Sequence, residues 1–501
     1  MINKVLVANR GEIAVRVMRS CREMGIVSVA VYSDADEDSM HVRYADEAYF
    51  IGPAPSSESY LNMDKILEVA KRCEADAIHP GYGFLSENAT FSQKCRDTGV
   101  IFIGPGPDAI RSMGDKITAR KNMIAAGVPV VPGTTEPISD DSNVMEVIRE
   151  VGLPVMIKAS SGGGGKGMRL VKEEAEVAGA IRMARSEAAT AFGDDSVYIE
   201  KFIDSPHHIE FQILADNHGN VIHLFERECS VQRRHQKIVE ETPSPLITPD
   251  VRKAMGEAAV AAAKAVDYSG AGTIEFIVDD NQNYYFLEMN TRLQVEHPIT
   301  EWVVGVDLVQ EMICIAQGDK LQLKQDDLNQ DGHAIECRIY AEDPDNNFMP
   351  SPGRIAHITE PKGLGVRCDG YIYEGYEIPI YYDPLISKLV CWSRTREGAI
   401  ARMKRALYEY KITGVKTNIR FLERIMDCPA FKEGTYNTQF IEKNQQRLMG
   451  PQENDPLNED RAIMVIFTDY LRKLDKFETK VIAREGTADW KVTGRKKNLF
   501  N

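Results

Sequence analysis

Over the first 113 positions short apolar runs alternate with stretches whose apolar residues recur at helical spacing. Val5–Ala8 is a buried-strand run. Ile13, Ala14, Val17, Met18 and Cys21 then recur with a helical period that stops at Gly25, a glycine placed just past a helix end. Ile26–Tyr32 reads as a strand, Met63–Arg72 as a helix, Ala75–His79 as a strand, Ala89–Asp97 as a helix and Val100–Ile103 as a strand. This alternation predicts a doubly wound parallel sheet over residues 1–113.

Beyond a Pro- and Gly-rich boundary between Gly127 and Pro137 the pattern changes to strand pairs. Strands are predicted on either side of the glycine-rich 162–167, at Val197–Ile203, His207–Leu214 and Val221–Phe225, with an Ala-rich helix at Val251–Val266. Two apolar runs flanking Asp279–Asn283 read as a β-hairpin. His333–Ala341 alternates as a strand, and helices are predicted at Arg396–Tyr410 and Ile419–Met426. Residues 448–459 read as a polar linker. Ala462, Ile463, Ile466, Tyr470, Leu471 and Leu474 then form an amphipathic stripe.

The hairpin carries chemistry. A turn centred between Asn281 and Gln282 sets Glu275 opposite Glu288, Phe276 opposite Leu287 and Val278 opposite Tyr285. Directly opposed carboxylates have Cβ atoms about 5 Å apart and repel. A divalent cation between them removes that cost, and Mg²⁺ favours carboxylates together with substrate phosphates. The alternative is a solvated acidic face, although Ile277 and Phe286 share the face in this register. Upstream, Gly162–Gly167 matches Gly-x-Gly-x-x-Gly, but a dinucleotide loop opens a helix, and here a strand follows. Walker A chemistry needs Ser or Thr after Lys166, where Gly167 stands. A glycine hairpin flanked by Lys158 and Lys166 remains, with backbone N–H groups free to approach phosphate oxygens. The loop Asn9-Arg-Gly11 lacks the dinucleotide fingerprint, so no NAD site is read there. The basic run Arg233-Arg-His-Gln-Lys237 is bracketed by acids, which suits an anion site better than a nucleic-acid surface.

Composition narrows the class. The 501 residues allow about three domains. A content of 43% hydrophobic and 27% charged residues is ordinary for a globular protein, and a net charge of −15 argues against general nucleic-acid binding. Nine cysteines without a Cys-x-x-Cys pair predict reduced thiols. No apolar run approaches the ~20 residues of a membrane span, and the N-terminal apolar segment is too short for a signal peptide. The expectation is a cytoplasmic enzyme that binds no membrane.

In order along residues 1 to about 447, the motifs Ala8-Asn-Arg-Gly-Glu-Ile-Ala14, His79-Pro-Gly-Tyr-Gly-Phe-Leu-Ser-Glu-Asn88, Met113-Gly-Asp-Lys116, the glycine hairpin, Cys229–Lys237, Glu288–Pro298 and Glu336-Cys-Arg338 resemble the biotin carboxylases of the ATP-grasp superfamily. The resemblance implies an N-terminal α/β domain (1–113), an ATP-grasp domain (114–329) with a mobile lid at about 131–203, a C-terminal mixed β domain (330–447), and a linker and helical tail (448–501). It implies that Lys116 and Lys158 contact ATP phosphates and that Gly164 and Gly165 close over them. Glu200, Lys201, Phe202 and Ile203 would hold the adenine, with His208 and His235 nearby. Glu275, Glu288 and Asn290 would ligate Mg²⁺ (or Mn²⁺), with Glu275 also beside the nucleotide. Lys237, Arg292 and the Val295 backbone would bind bicarbonate, Glu296 would deprotonate it, and Arg338 would face the biotin ureido oxygen. Tyr340 and Lys166 stand where many or some relatives have Asn and Arg.

Arg16 and Arg19 share the polar side of the first predicted helix, where the same resemblance implies a homodimer contact; the alternative is an ordinary solvated helix face. The resemblance also implies a biotin carrier protein and a carboxyltransferase as partners, with an acyl-CoA or pyruvate as final acceptor. The only Met-Lys pair, Met403-Lys404, falls mid-helix, so the biotin is expected on a separate carrier. Two rivals remain. Another bicarbonate-activating ATP-grasp ligase, such as a carbamoyl-phosphate former, should lack the Glu336–Arg338 strand and the C-terminal domain. A nucleotide-binding regulatory protein should lack bicarbonate-dependent ATP hydrolysis.

Overall fold

A computed structural model describes residues 1–134, 136, 138, 144–159, 168–192, 195–449 and 463–471. They fall into two compact units, Met1–Met449 and Gly450–Asn501. In the second unit residues 463–471 form a helix whose Ile463, Ile466, Phe467 and Tyr470 are exposed. Leu471 of the predicted stripe is exposed as well, and Ala462 and Leu474 lie outside the described residues.

The first unit opens on a five-stranded parallel sheet. Its order is Glu47–Gly52, Val27–Ser33, Lys4–Val7, Ala77–His79, Ile101–Phe102. The doubly wound reading holds, and Gly25 adopts φ +71° after the first helix. The sequence reading passed over the edge strand Glu47–Gly52. Only its last two residues are buried, so it carries little apolar signal.

The first helix, Gly11–Glu23, corrects an expectation. Arg16 does not share an outer face with Arg19. It is buried, with Nη2 2.7 Å from Glu301 and 3.0 Å from Asp307, while Arg19 keeps a 43% exposed side chain. The cause is packing on two sides. The helix covers the parallel sheet and also meets the helix Leu308–Gln317 and the strand Val366–Gly370, so a one-face helical wheel undercounts its buried positions.

Eight of the remaining strands build a continuous antiparallel sheet. Its order is Tyr284–Asn290, Gly270–Val278, His207–Ala215, Val221–Arg233, Gln236–Thr242, His333–Tyr340, Leu385–Ser393, Val366–Gly370. The strand His333–Tyr340 pairs with Gln236–Thr242 on one side and Leu385–Ser393 on the other. Helices Arg396–Glu409 and Ile419–Asp427 close a core over its far end. A separate three-stranded sheet, Met168–Val171, Val155–Ala159, Val197–Lys201, flanks residues 160–167. Those residues, with Gly164, Gly165 and Lys166, lie outside the described residues.

All nine cysteines are free thiols, seven of them buried. Among the described residues no helix is long and apolar enough to cross a membrane.

Candidate active site

The polar face of the large sheet is assembled by strand register. Glu288 pairs with Glu275, Glu275 with Glu210, and Glu210 with Arg227, giving one row of three carboxylates and a guanidinium across four strands. The Glu275–Glu288 pairing is the one the hairpin predicted. The rest of that register is corrected by a bulge. Phe276 meets Phe286 rather than Leu287, and Val278 meets Tyr284 rather than Tyr285. One extra residue in the second strand reverses the sides of its neighbours. Phe286 thereby joins the core with Ile274, Phe276 and Met289, while Leu287 turns to the cleft.

Like charges in a row need cations, and Lys237 serves two of them, Glu210 and Glu275, together with Glu296 from outside the row. Its Nζ lies 2.5 Å from Glu210, 2.9 Å from Glu275 and 2.6 Å from Glu296. Arg227, wholly buried, donates to Glu210 at 2.5 Å. Glu275 also meets His208 Nε2 at 2.8 Å and accepts from Asn290 Nδ2 at 2.8 Å and Gln294 Nε2 at 3.1 Å. Burial would raise the Glu275 carboxyl, but Lys237 and His208 hold it well below the usual carboxylate range. Glu288 is pushed up, first by the charge of Glu275 and then by burial. An oxygen-preferring divalent cation between the two would relieve that repulsion. The donor set of Glu275, Glu288 and Asn290 therefore fits Mg²⁺ or Mn²⁺.

Glu296 is fully buried where the loop Thr291–Glu296 enters the helix His297–Val304. Its Oε1 takes Lys237, and its Oε2 takes Arg338 Nη2 at 3.0 Å. Burial opposes ionisation here too, yet Lys237 and Arg338 keep the carboxyl far below its ordinary value. Arg338 Nε also donates to Glu240 at 2.6 Å. Arg292 spans Glu87 (2.9 Å), the Asn290 oxygen (3.0 Å) and Gln294 (3.1 Å). The Val295 carbonyl is held by the buried Lys388 at 3.0 Å.

Two adjoining cavities lie over this face. One, of about 440 Å³, is lined by Lys116, Lys158, Arg120, Glu200, Glu288 and Asn290. Burial lowers the Lys116 ammonium from its usual value. Lys158 Nζ lies 2.5 Å from Glu200, whose other oxygen meets Arg120 at 3.1 Å. The second, of about 620 Å³, is lined by Lys201, Phe202, Ile203, His208, Arg234 and His235. Arg234 and His235 form a tight turn with φ of 50° and 66°. Lys201 anchors itself on the Gly152 carbonyl at 2.8 Å. The arrangement joins a cation-lined hollow, an adjoining apolar slot, a carboxylate pair and a buried carboxylate flanked by Lys237 and Arg338.

Sequence reasoning singles out the His79–Asn88 motif without a role for its Glu87, and misses Arg120, Glu210, Glu240 and Lys388. His208, Glu210 and Gln212 alternate with Ile209, Phe211 and Ile213, so period-2 polarity could have found Glu210. The others carry no local signal.

Comparison with known proteins bears on this site. Residues 1–110 match the family model of the biotin carboxylase N-terminal domain, residues 115–324 the ATP-binding domain of the carbamoyl-phosphate synthase L chain, and residues 336–443 the biotin carboxylase C-terminal domain. The chain is 55% identical over 443 residues to biotin carboxylase 1 of Bacillus subtilis, covering 88% of this chain and 98% of that protein. It is 55% identical over 441 residues to the biotin carboxylase of a Nostoc strain, covering 88% and 99%. Among solved structures, it resembles the biotin carboxylase domain dimer of the Hydrogenobacter thermophilus 2-oxoglutarate carboxylase in complex with MgADP, ADP and bicarbonate. There the TM-score is 0.84 and the identity 48%, over 89% of this chain and 99% of that one. A biotin carboxylase–beta-gamma-ATP complex from Campylobacter jejuni superposes with a TM-score of 0.85 at 48% identity, over 88% and 99%.

Proposed function

The chain belongs to the biotin carboxylase family, and on that premise we propose that its cleft carboxylates carrier-bound biotin with ATP and bicarbonate through the residues described above. The observation that carries the assignment of roles is the buried Glu296 between Lys237 and Arg338, with Lys237 also meeting Glu275 of the Glu275–Glu288 pair. In this reading Lys116 and Lys158 hold ATP phosphates, and the slot at Lys201–Ile203, His208 and His235 takes the adenine. Glu275, Glu288 and Asn290 would hold Mg²⁺, which when bound neutralises charge on the phosphate oxygens.

Lys237 and Arg292 orient bicarbonate beside Val295 with paired donors. Glu296 is kept ionised and ready to accept a proton. An arriving anion draws Lys237 away from it and so raises its basicity at the moment it is needed. Deprotonated bicarbonate attacks the γ-phosphorus, giving carboxyphosphate and ADP. Carboxyphosphate breaks into CO₂ and phosphate, and the phosphate takes the N1 proton of biotin. Arg338 then stabilises the charge on the ureido oxygen.

A carrier protein, a carboxyltransferase and a second copy of the chain are the partners this reading requires. The dimeric relative supports the last of these. Arg19 is the residue to probe for it, since Arg16 is buried within the chain. Lys404 is no candidate for a biotinyl lysine, because it sits in a helix and pairs with Asp427 at 2.6 Å. The match of residues 336–443 to the biotin carboxylase C-terminal domain argues against a carbamoyl-phosphate former. The deciding assay is ATP hydrolysis by the purified chain. It should depend on bicarbonate and rise with free biotin at high concentration. Hydrolysis indifferent to both, or to biotin and added carrier alike, rejects the reading.

A further inference from the structure

Glu240 and Glu336 stand directly opposite each other on neighbouring antiparallel strands, and both are completely buried. Glu240 spends one oxygen on Arg338 Nε at 2.6 Å. Its other oxygen, and both oxygens of Glu336, meet no hydrogen-bond partner. Lys388, on the next strand, is directed to the Val295 carbonyl and to Glu12 at 3.2 Å instead. Ionised together, the two would repel each other across the strands, with Arg338 bonded to Glu240 and no cation bonded to Glu336.

We propose that Glu336 is a positioning residue for Arg338, and that it holds one proton in common with Glu240, so that the pair offers Arg338 a single negative charge. The proposal rests on the reading that Arg338 faces biotin. Burial is the leading cause raising both carboxyls, Glu336 well above its usual value and Glu240 to about 7, against the opposing charges of Lys388 on the first and Arg338 on the second. Two buried carboxyls competing for ionisation titrate as a pair.

The groups facing the pair are accounted for. Its own strand supplies Arg338, the Gln236–Thr242 strand Lys237, the Leu385–Ser393 strand Lys388, and the loop before the covering helix Glu296. On that helix, His297 bonds the Gln294 carbonyl and Glu301 pairs with Arg16 and Arg367. On the Val221–Arg233 strand, Arg227 is committed to Glu210 and Cys229 is a buried thiol. From the first helix, Glu12 takes Tyr82 and Lys388.

The shared proton has a consequence for rate. With it in place, Arg338 has one carboxylate of the pair and Glu296 to leave when it turns to the ureido oxygen. Once rising pH removes it, Arg338 faces an additional charge and is gripped. The biotin-dependent rate should therefore fall at alkaline pH by a limb that bicarbonate-dependent ATP cleavage without biotin does not share.

Infrared spectroscopy of the wild-type protein tests the proton itself. The carbonyl band of a protonated buried carboxyl should be present at neutral pH and vanish on alkaline titration, and Glu336→Gln should lack it. In Glu336→Gln the alkaline limb of kcat/KM for biotin should move up by a pH unit or more, about tenfold in proton concentration. A wild type without the band, or a limb unmoved in Glu336→Gln, overturns the proposal. Should Glu336→Gln fail to fold, Glu240→Gln takes its place and should lose the same band; a band retained there belongs to another buried carboxyl such as Glu228 and overturns the proposal. Arg338→Gln separates the two readings. If it leaves the biotin-dependent rate unchanged, the biotin-side role of Arg338 falls and the proposal with it. If it abolishes that rate while the Glu336→Gln limb stays put, only the shared proton falls.

Discussion

The eight-stranded sheet and the three-stranded sheet border the same two cavities and hold charge in opposite ways. On the large sheet Glu210, Glu275 and Glu296 converge on one ammonium at 2.5–2.9 Å, and Arg338 and Arg227 close the cluster from either end. The field there exists before any ligand arrives, which is what makes fixed charges effective at a transition state. On the small sheet Lys158 and Glu200 satisfy each other at 2.5 Å. A phosphate must displace Glu200 to gain Lys158, so that lysine contributes a difference between two contacts rather than a whole one. The large sheet carries a preset cluster of charge and the small one a pair that a ligand would have to open.

Breaking the large sheet should cost most. Glu296→Gln is expected to retain ATP binding and to lower bicarbonate-dependent hydrolysis by about 10²–10⁴-fold, the usual worth of a positioned base. Hydrolysis within a few-fold of wild type would remove Glu296 from that role. Glu288→Gln tests the carboxylate pair. It should weaken the Mg²⁺ requirement curve by at least the 10–100-fold typical of lost metal-site support. Because the charge of Glu275 already pushes Glu288 up, its melting temperature without Mg²⁺ should equal or exceed that of wild type. Normal turnover at ordinary Mg²⁺ levels would count against the site.

The small sheet should yield a milder result. Lys158→Met is expected to raise KM for ATP about tenfold, the low end for a charge-assisted bond, with kcat less affected. An unchanged KM would show that Lys158 stays with Glu200 throughout.

Away from the cleft, the large sheet carries Glu241. Burial would raise its carboxyl, but His333 and then Arg396 hold it down to about 2. A folded value below the unfolded one, near 4.5, stabilises the protein at neutral pH and is lost as pH falls between those values. Glu241→Gln should therefore melt lower than wild type at pH 7, and the gap should close towards pH 2. A gap independent of pH would assign the loss to packing. The smallest effect is expected outside both sheets. Deleting residues 450–501 should leave bicarbonate-dependent ATPase intact and show only in assembly measured by sedimentation, whereas loss of ATPase would place that segment in the catalytic scaffold.

How much of this was legible in the sequence varied with distance along the chain. The Glu275–Glu288 pairing came from residues thirteen apart in one hairpin, where turn chemistry and alternation are local. The bulge that exchanges Phe286 and Leu287 was not, since both are apolar and either fits either face. Arg16 read as a surface residue because arginine on a helix usually is one, and its partners Glu301 and Asp307 lie hundreds of positions away. The roles of Lys116, Lys237, Arg292 and Arg338 rest on resemblance alone, because no periodicity marks a cation whose carboxylate partners come from other strands and loops far along the chain.

The sheet that runs unbroken through His333–Tyr340 also dictates when the protein can acquire its site during synthesis. Arg338 reaches back 42 residues to Glu296 and 98 to Glu240, and Arg292 reaches 205 to Glu87. Contacts of such sequence separation form late, because the intervening chain must be ordered first. A nascent chain that has exposed only its first three hundred residues holds the nucleotide-side strands but leaves Gln236–Thr242 as a bare edge. Such an edge is open to pairing with other chains. The arrival of His333–Tyr340 therefore completes the catalytic face and caps an aggregation-prone seam in the same event.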